Sequence, residues 1–468
     1  MQIPTTFRTL FCTLALTVSC FLPVEGGNVA VAIKPEGPWR LFPTRTLEDL
    51  PPEATSQLDG ALNEYGGLRA QTVKAKGFFY TTNIDGRWWL VDPIGGLFMN
   101  KGVAAVSMLG SSTARAVLKE KFGNDSDWAS RSTAMLRDHG FNGVGAWSDI
   151  ERLRVVGQPL PYTRIWNFMS AYGKRRGGIY QQAGHTGYPN DAIFVFDPEF
   201  EIFCDEYAKG LAASKDDPWL IGHFSDNELP FSREALANFL SLPAGDPGQQ
   251  AAQDWLRARH GEQATVRDIT TQDKQEFLAV VVDRYFSIVS RAMRKFDPNH
   301  LLIGARFLGT SARLPEVLKA AGPYLDVISV NLYHSWTPNP DLLAMWTNMS
   351  GRPFLITEWY AKAMDTGMPN HSGAGWVVRT QANRARFYEN FTLGLLESKA
   401  CVGWHWFKYS DNDPTDANAD PSNIDSNKGV VSNRYVPYQT LMDSMKRINE
   451  RVYGLTRFFD STHSMSSP

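Results

Sequence analysis

The sequence predicts a (β/α)8 barrel, and three observations carry that prediction. Eight short apolar runs follow one another between residues 97 and 409. Longer segments in which apolar residues recur at helical spacing lie between them. Runs such as Leu301-Leu302-Ile303 and Val327-Ile328-Ser329-Val330 are continuously apolar rather than alternating, as strands covered on both faces by helices must be.

Composition agrees with a large globular chain. The 468 residues balance 47 Lys+Arg against 49 Asp+Glu, a net charge of −2 that offers no electrostatic grip on nucleic acid or anionic membrane. Apolar residues make up 43% and aromatics 12%, enough for a sizeable core and too many for a disordered protein.

Taken in order, residues 1–24 read as an export signal, with Arg8 ahead of an apolar run from Leu10 to Leu22. That run is short for a bilayer, and no later stretch approaches the roughly 20 apolar residues of a transmembrane helix. The expectation is an extracytoplasmic protein, secreted or periplasmic. Ser19-Cys20 adds the alternative of a lipoprotein site, although Thr17 stands where such sites favour Leu. The remaining cysteines, Cys204 and Cys401, form neither a disulfide framework nor a zinc site. Residues 25–75 are rich in Pro, Gly and charge without sustained period and read as a linker or wrap.

The barrel domain is placed at residues 76–460. It opens with a β-hairpin, in which Asp85-Gly86 turns Phe78-Phe79-Tyr80-Thr81-Thr82-Asn83-Ile84 back into Arg87-Trp88-Trp89-Leu90-Val91. Barrel strands are predicted at 97–103, 143–147, 162–168, 219–224, 301–307, 327–333, 354–359 and 402–409, the third diluted by Arg164 and Asn167. Helical spacing marks 127–140, 198–214, 271–296, 312–321 and 377–398.

In this architecture chemistry sits at the C-terminal strand ends. Strand four ends in Asp226-Asn227-Glu228 and strand seven in Ile356-Thr357-Glu358. These strands lie on opposite sides of an eight-strand ring, so their glutamates can flank one substrate bond. Retaining glycosidases need such a pair about 5–5.5 Å apart, one acid/base and one nucleophile. A nucleophilic Glu358 must stay ionised beside a cation, for which Arg306 at the end of strand five is the candidate. Glu228 must begin protonated, and a second carboxylate with an aromatic lining raises its pKa. Such a mechanism needs no metal or organic cofactor.

The motifs Asp85-Gly86-Arg87-Trp88-Trp89-Leu90-Val91-Asp92-Pro93, Asp226-Asn227-Glu228-Leu229-Pro230, Gly403-Trp404-His405-Trp406-Phe407 and Ser426-Asn427-Lys428-Gly429-Val430-Val431 resemble the β-agarase-like glycoside hydrolases, within the (β/α)8 superfamily of retaining enzymes. The likeness covers residues 76–450. It implies Glu228 as acid/base and Glu358 as nucleophile. Asn227 would bond the hydroxyl next to the anomeric carbon, and Tyr333 would orient the nucleophile. A short segment at 25–75, in place of a larger N-terminal carbohydrate-binding-like domain, departs from the family pattern. The implied function is retaining hydrolysis of β-galactosidic linkages in an agarose-like or other galactose-containing carbohydrate. Cleavage of a β-glucosidic or β-mannosidic bond by the same mechanism is the enzymatic alternative, and a non-catalytic carbohydrate-binding barrel the other. The sequence assigns no oligomeric state.

Each choice has a plainer reading. A lone strand-end Glu is usually solvated; the pairing of Glu228 with Glu358 favours catalysis. Arg306 could instead be a structural ion pair. His334 and His405 follow strand runs into the expected mouth and are candidate sugar contacts or core residues. Of Trp147, Trp336, Trp359, Trp404 and Trp406, two are expected to stack on sugar and the others to pack. His223 reads as a buried, hydrogen-bonded histidine, and Glu199, Glu201 and Glu206 as solvated. The Asp/Asn-rich residues 411–427 lack EF-hand spacing and read as a hydrated loop before a calcium site. Long insertions at 172–190 and 230–270 should overhang the mouth and turn a cleft into a pocket that favours release of terminal units. Lys174-Arg175-Arg176 in the first is either a solvated face or a reader of an anionic sugar group.

Overall fold

A computed structural model describes residues 27–55, 62–416 and 419–464. The predicted export signal, with Cys12 and Cys20, lies outside the described residues. Within them no helix is long and apolar enough to cross a membrane.

Eight parallel strands form the barrel: β1 (Asn100–Val103), β2 (Gly143–Val144), β3 (Tyr162–Ile165), β4 (Leu220–Phe224), β5 (Leu301–Gly304), β6 (Ile328–Asn331), β7 (Phe354–Glu358) and β8 (Cys401–Trp406). Apart from β5 and β6, each pairs with its sequence neighbour, and β8 closes on β1 through Gly403 to Trp406 against Asn100 to Val103. The fold class and the position of every strand match expectation. Six of the runs end earlier than predicted, because their last residues turn into the rim loops, while those ending at Val103 and Phe224 end as predicted.

One seam departs from regularity. β5 pairs with β4, whereas β6 is reached only by the separate segment Phe307–Leu308. Between these pieces Gly304 and Arg306 both have left-handed backbone, with φ of +91° and +54°. A Cβ on Gly304 would meet Leu325 Cδ1 at 2.9 Å, so glycine alone suits the turn. The offset aims Arg306 into the barrel.

Residue alternation divides the core in two. Outward residues such as Leu220, Leu302, Val330, Phe354 and Ile356 join the main cluster with the helices. Inward residues Ile221, Ile303, Leu355 and Val402 meet Tyr65, Phe79, Leu90 and Phe98 in a second cluster. Those partners come from an antiparallel sheet of Leu68–Thr72, Tyr80–Ile84, Arg87–Val91 and Gly96–Phe98, which stoppers the N-terminal end of the barrel. Its hairpin turns at Asp85 and Gly86, both with positive φ, as the Asp-Gly signal predicts. The run at 97–103 therefore serves both sheets.

Helices fill the remaining crossovers, the longest being Thr271–Phe296, whose bounds coincide with the predicted ones. Its Thr270 side chain caps the Asp273 N–H while Asp273 reaches back, a reciprocal capping box. The segment predicted as a linker or wrap contains the strands Val29–Ala32 and Arg40–Phe42, which join Trp376–Val378 and Ala361–Ala363 in a sheet beside the loop after β7. At three or four residues each, they are too short to show a period.

Candidate active site

The C-terminal rim of the barrel opens into a cavity of about 880 Å3. The strand ends around it share an unusual backbone state. Ala105, Trp147, Asn167, Glu228, Arg306 and His334 follow the first six strands, each with φ between +50° and +64°. Non-glycine residues in this region each cost of order 1–2 kcal/mol, and such strain gathers where a side chain must be aimed.

Glu228 stands just past β4, its backbone N–H bonded to the Ala305 carbonyl at 3.0 Å. Its carboxyl accepts from Asn331 Nδ2 at 2.7 Å, and Asn331 Oδ1 in turn accepts from the Thr357 hydroxyl at 2.7 Å. Burial and then the charge of Glu358 push Glu228 up to about 8. Glu358 ends β7, 6% exposed. Arg306 Nη2 donates to its Oε1, and the Tyr333 hydroxyl donates to its Oε2 at 2.7 Å. Arg306, fully buried, also donates through Nε to Asn227 Oδ1 at 2.8 Å. The two carboxyls thus sit in unlike surroundings, Glu228 pushed toward its neutral form and Glu358 accepting from a guanidinium and a phenol.

Of the residues singled out from sequence, Asn227, Glu228, Arg306, Tyr333 and Glu358 come together here. Trp147, 40% exposed, and His334 line the wall. Three do not reach the cavity. Trp359 is fully buried and stacks on Phe391 at 4.2 Å, because the residue after inward Glu358 turns out toward the helix Gln381–Glu397. Trp406 is likewise buried, its Nε1 donating to the Lys428 carbonyl at 2.8 Å. His405 points inward but lies below the floor, its Nε2 on Asn100 Oδ1 at 2.6 Å, and burial pushes it down to about 3. Trp336 and Trp404 are core residues too, so of the five tryptophans only Trp147 faces the cavity.

Sequence reasoning passed over Asn331, the polar residue that ends β6 and bonds Glu228, in favour of Tyr333 two positions on. Lys408 and Tyr360 on the wall were also missed. Of the two insertions, the first supplies Gln181, Gly184 and His185 to the wall. The second does not line the cavity; its helices Ala235–Leu240 and Pro247–His260 pack outside against Thr271–Phe296. The wall facing the first insertion is instead residues 419–423. The Asp/Asn-rich stretch to which they belong is not the hydrated loop expected: Asp411, Asn412 and Asp413 are buried. Asp411 accepts from the N–H groups of Lys428 and Gly429 and from the Tyr438 hydroxyl, at 2.8, 2.7 and 2.5 Å.

His223, Asp297 and His300 form a compact buried cluster away from the cavity. Trp166 Nε1 donates to His223 Nδ1 at 3.0 Å, so Nε2 donates to Asp297 at 2.8 Å, and His300 Nδ1 donates to the same carboxylate. This is the satisfied histidine the sequence suggested.

No family model matches the chain. β-Agarase B from Vibrio sp. (strain JT0107) is 26% identical over 498 residues, an overlap covering 86% of this chain and 51% of that protein. The chain spans about half the length of the curated relatives it matches. The crystal structure of BpGH50 is 32% identical, with a TM-score of 0.81 over 92% of this chain and 96% of its own. The chain belongs to the β-agarase-like glycoside hydrolases. As a β-agarase-like glycoside hydrolase it also shares its fold with an exo-β-agarase, at a TM-score of 0.71 and 23% identity over 85% of this chain and 68% of the other.

Proposed function

We propose that this protein is an exported retaining β-glycoside hydrolase that cleaves β-galactosidic linkages in an agarose-like carbohydrate, with Glu358 as nucleophile and Glu228 as acid/base. The observation that carries the reading is the unequal treatment of the two carboxyls. Burial and the Glu358 charge keep Glu228 protonated, while Arg306 and Tyr333 hold Glu358 as an acceptor. Glu358 attacks the anomeric carbon as the Glu228 proton passes to the departing oxygen. Forming the ester removes the Glu358 charge, which lets Glu228 fall in pKa and take a proton from the incoming water. Asn227 has given its Oδ1 to Arg306, so its Nδ2 is the group free to donate to a sugar hydroxyl. The exposed face of Trp147 suits the C–H side of a sugar ring.

Likeness to β-agarases supports galactosidic chemistry, and the apolar run from Leu10 to Leu22 supports export. Release of terminal units is supported by the close approach of opposite loops across the cavity, where a Cβ on Gly184 would meet Ser422 Oγ at 3.3 Å. In a panel of agar, porphyran, carrageenan, galactan and aryl β-glycosides, the parent is expected to hydrolyse a β-galactoside and Glu358→Ala to be inactive. Time-resolved NMR should show the β anomer first. Full activity of the alanine variant, or α product first, would refute the assignment.

A further inference from the structure

The basic triplet Lys174-Arg175-Arg176 does not read a sugar. Arg175 pairs with Glu206 at 3.2 Å, and Arg176 with Asp197 and Asp246 at 2.7 and 2.8 Å, all away from the cavity wall. A different pair of cations belongs to the cavity. Lys408 follows β8 and lines the wall, its Nζ donating to Asn412 Oδ1 at 2.6 Å. Lys428 is buried behind it, 5.0 Å from the Phe407 ring centre, its Nζ donating to Asn423 Oδ1.

Neither ammonium has a carboxylate in ion-pair contact among the described residues. Asp411 directs its oxygens to the donors already named. Asp420, on the rim, accepts from the Ser422 N–H and hydroxyl at 2.9 and 2.8 Å and from Asn423 Nδ2 at 2.7 Å. Arg313, also on the wall, has no ion-pair partner among the described residues. With Glu228 protonated, the cations Arg306, Arg313, Lys408 and Lys428 outnumber the carboxylates Glu358, Asp411 and Asp420 around this space by four to three.

Asp411 and Asp420 act on the two neighbouring ammonium groups only from beyond ion-pair contact, and an anion entering the cavity supplies the direct partner that Lys408 lacks. Burial already pushes Lys408 down to about 8, and burial with the Lys408 charge pushes Lys428 well below its ordinary value. Lys408 has three N–H donors and uses one on Asn412. We propose that the sugar taken by this cavity carries an anionic substituent, a sulfate ester or a carboxylate, bound by Lys408 and supported by Lys428. This rests on the carbohydrate reading of the site and names its substrate class more narrowly.

The test compares matched galacto-oligosaccharides that are unsubstituted, sulfated or uronate-bearing. Hydrolysis is measured with the parent, Lys408→Met and Lys408→Arg, and binding in a Glu358→Gln background, with thermal melting as the check on folding. Lys408→Met should lose about tenfold or more on one anionic series and change less than about threefold on the neutral one, with Lys408→Arg recovering most of the loss. Which anionic series responds identifies the substituent. Equal losses on neutral and anionic sugars, no loss at all, or binding of neither anionic series overturns the proposal. If the parent hydrolyses nothing yet binds an anionic sugar through Lys408, the hydrolase reading fails and this one stands; hydrolysis of the neutral series with Lys408 making no distinction is the reverse.

Discussion

Glu228 is a group whose folded pKa is raised, so its effect on stability has a definite sign. Between its ordinary value near 4.5 and about 8 the folded state holds a proton that the unfolded state has released. Stability therefore falls as pH rises through that window, by up to about 1.4 kcal/mol per unit. Glu228→Gln keeps an acceptor for Asn331 and removes this dependence. Thermal melting should show the variant gaining on the parent from pH 5 to pH 8; a constant difference would contradict the raised pKa. The carboxyl pair was legible because strand ends are where polar residues interrupt apolar runs. Trp359, Trp406 and His405 were misplaced for a matching reason. A run of letters shows where a strand ends, and only the register shows which face each side chain takes and how deep it lies.

At the scale of the element, the break in β5 does the aiming. Gly304 permits the turn that carries Arg306 to Glu358 and Asn227. Gly304→Ala adds a Cβ against Leu325 at a backbone angle L-residues avoid, and should cost about 1–3 kcal/mol in chemical denaturation. Turnover should fall further than stability at a temperature where the variant is folded, since Arg306 shifts with the turn. Undiminished turnover would show that the break has no part in placing it. Nothing in the letters announced this seam. Ala105, Trp147, Glu228, Arg306 and His334 occupy left-handed positions without being glycine, asparagine or aspartate, so the turn chemistry that usually marks such positions is absent there, and Asn167 alone carries it. Long crossovers such as Thr271–Phe296 were readable to the residue, because period and capping box agree.

For the whole molecule, the barrel is closed below by the hairpin sheet and braced at the rim by the sheet that Val29–Ala32 joins. Val31, 1% exposed, pairs with Val378, whose neighbouring strand Ala361–Ala363 lies just beyond Glu358. Val31→Asp buries an unpaired charge there and should lower stability by about 3 kcal/mol or more. Limited proteolysis should then cut first between residues 359 and 380; unchanged cleavage would separate the N-terminal strand from the rim. The brace escaped the sequence because its partners lie far along the chain, and short edge strands carry no period of their own.

That same pairing orders events during synthesis. Val29–Ala32 is among the first described segments to leave the ribosome, yet its partner Trp376–Val378 emerges only after seven of the eight barrel strands. Contacts of such separation close late, after their intervening loop has been organised. The rim beside Glu358 is therefore completed near the end of folding, and a nascent chain stalled before residue 376 would hold both glutamates without the sheet that braces them.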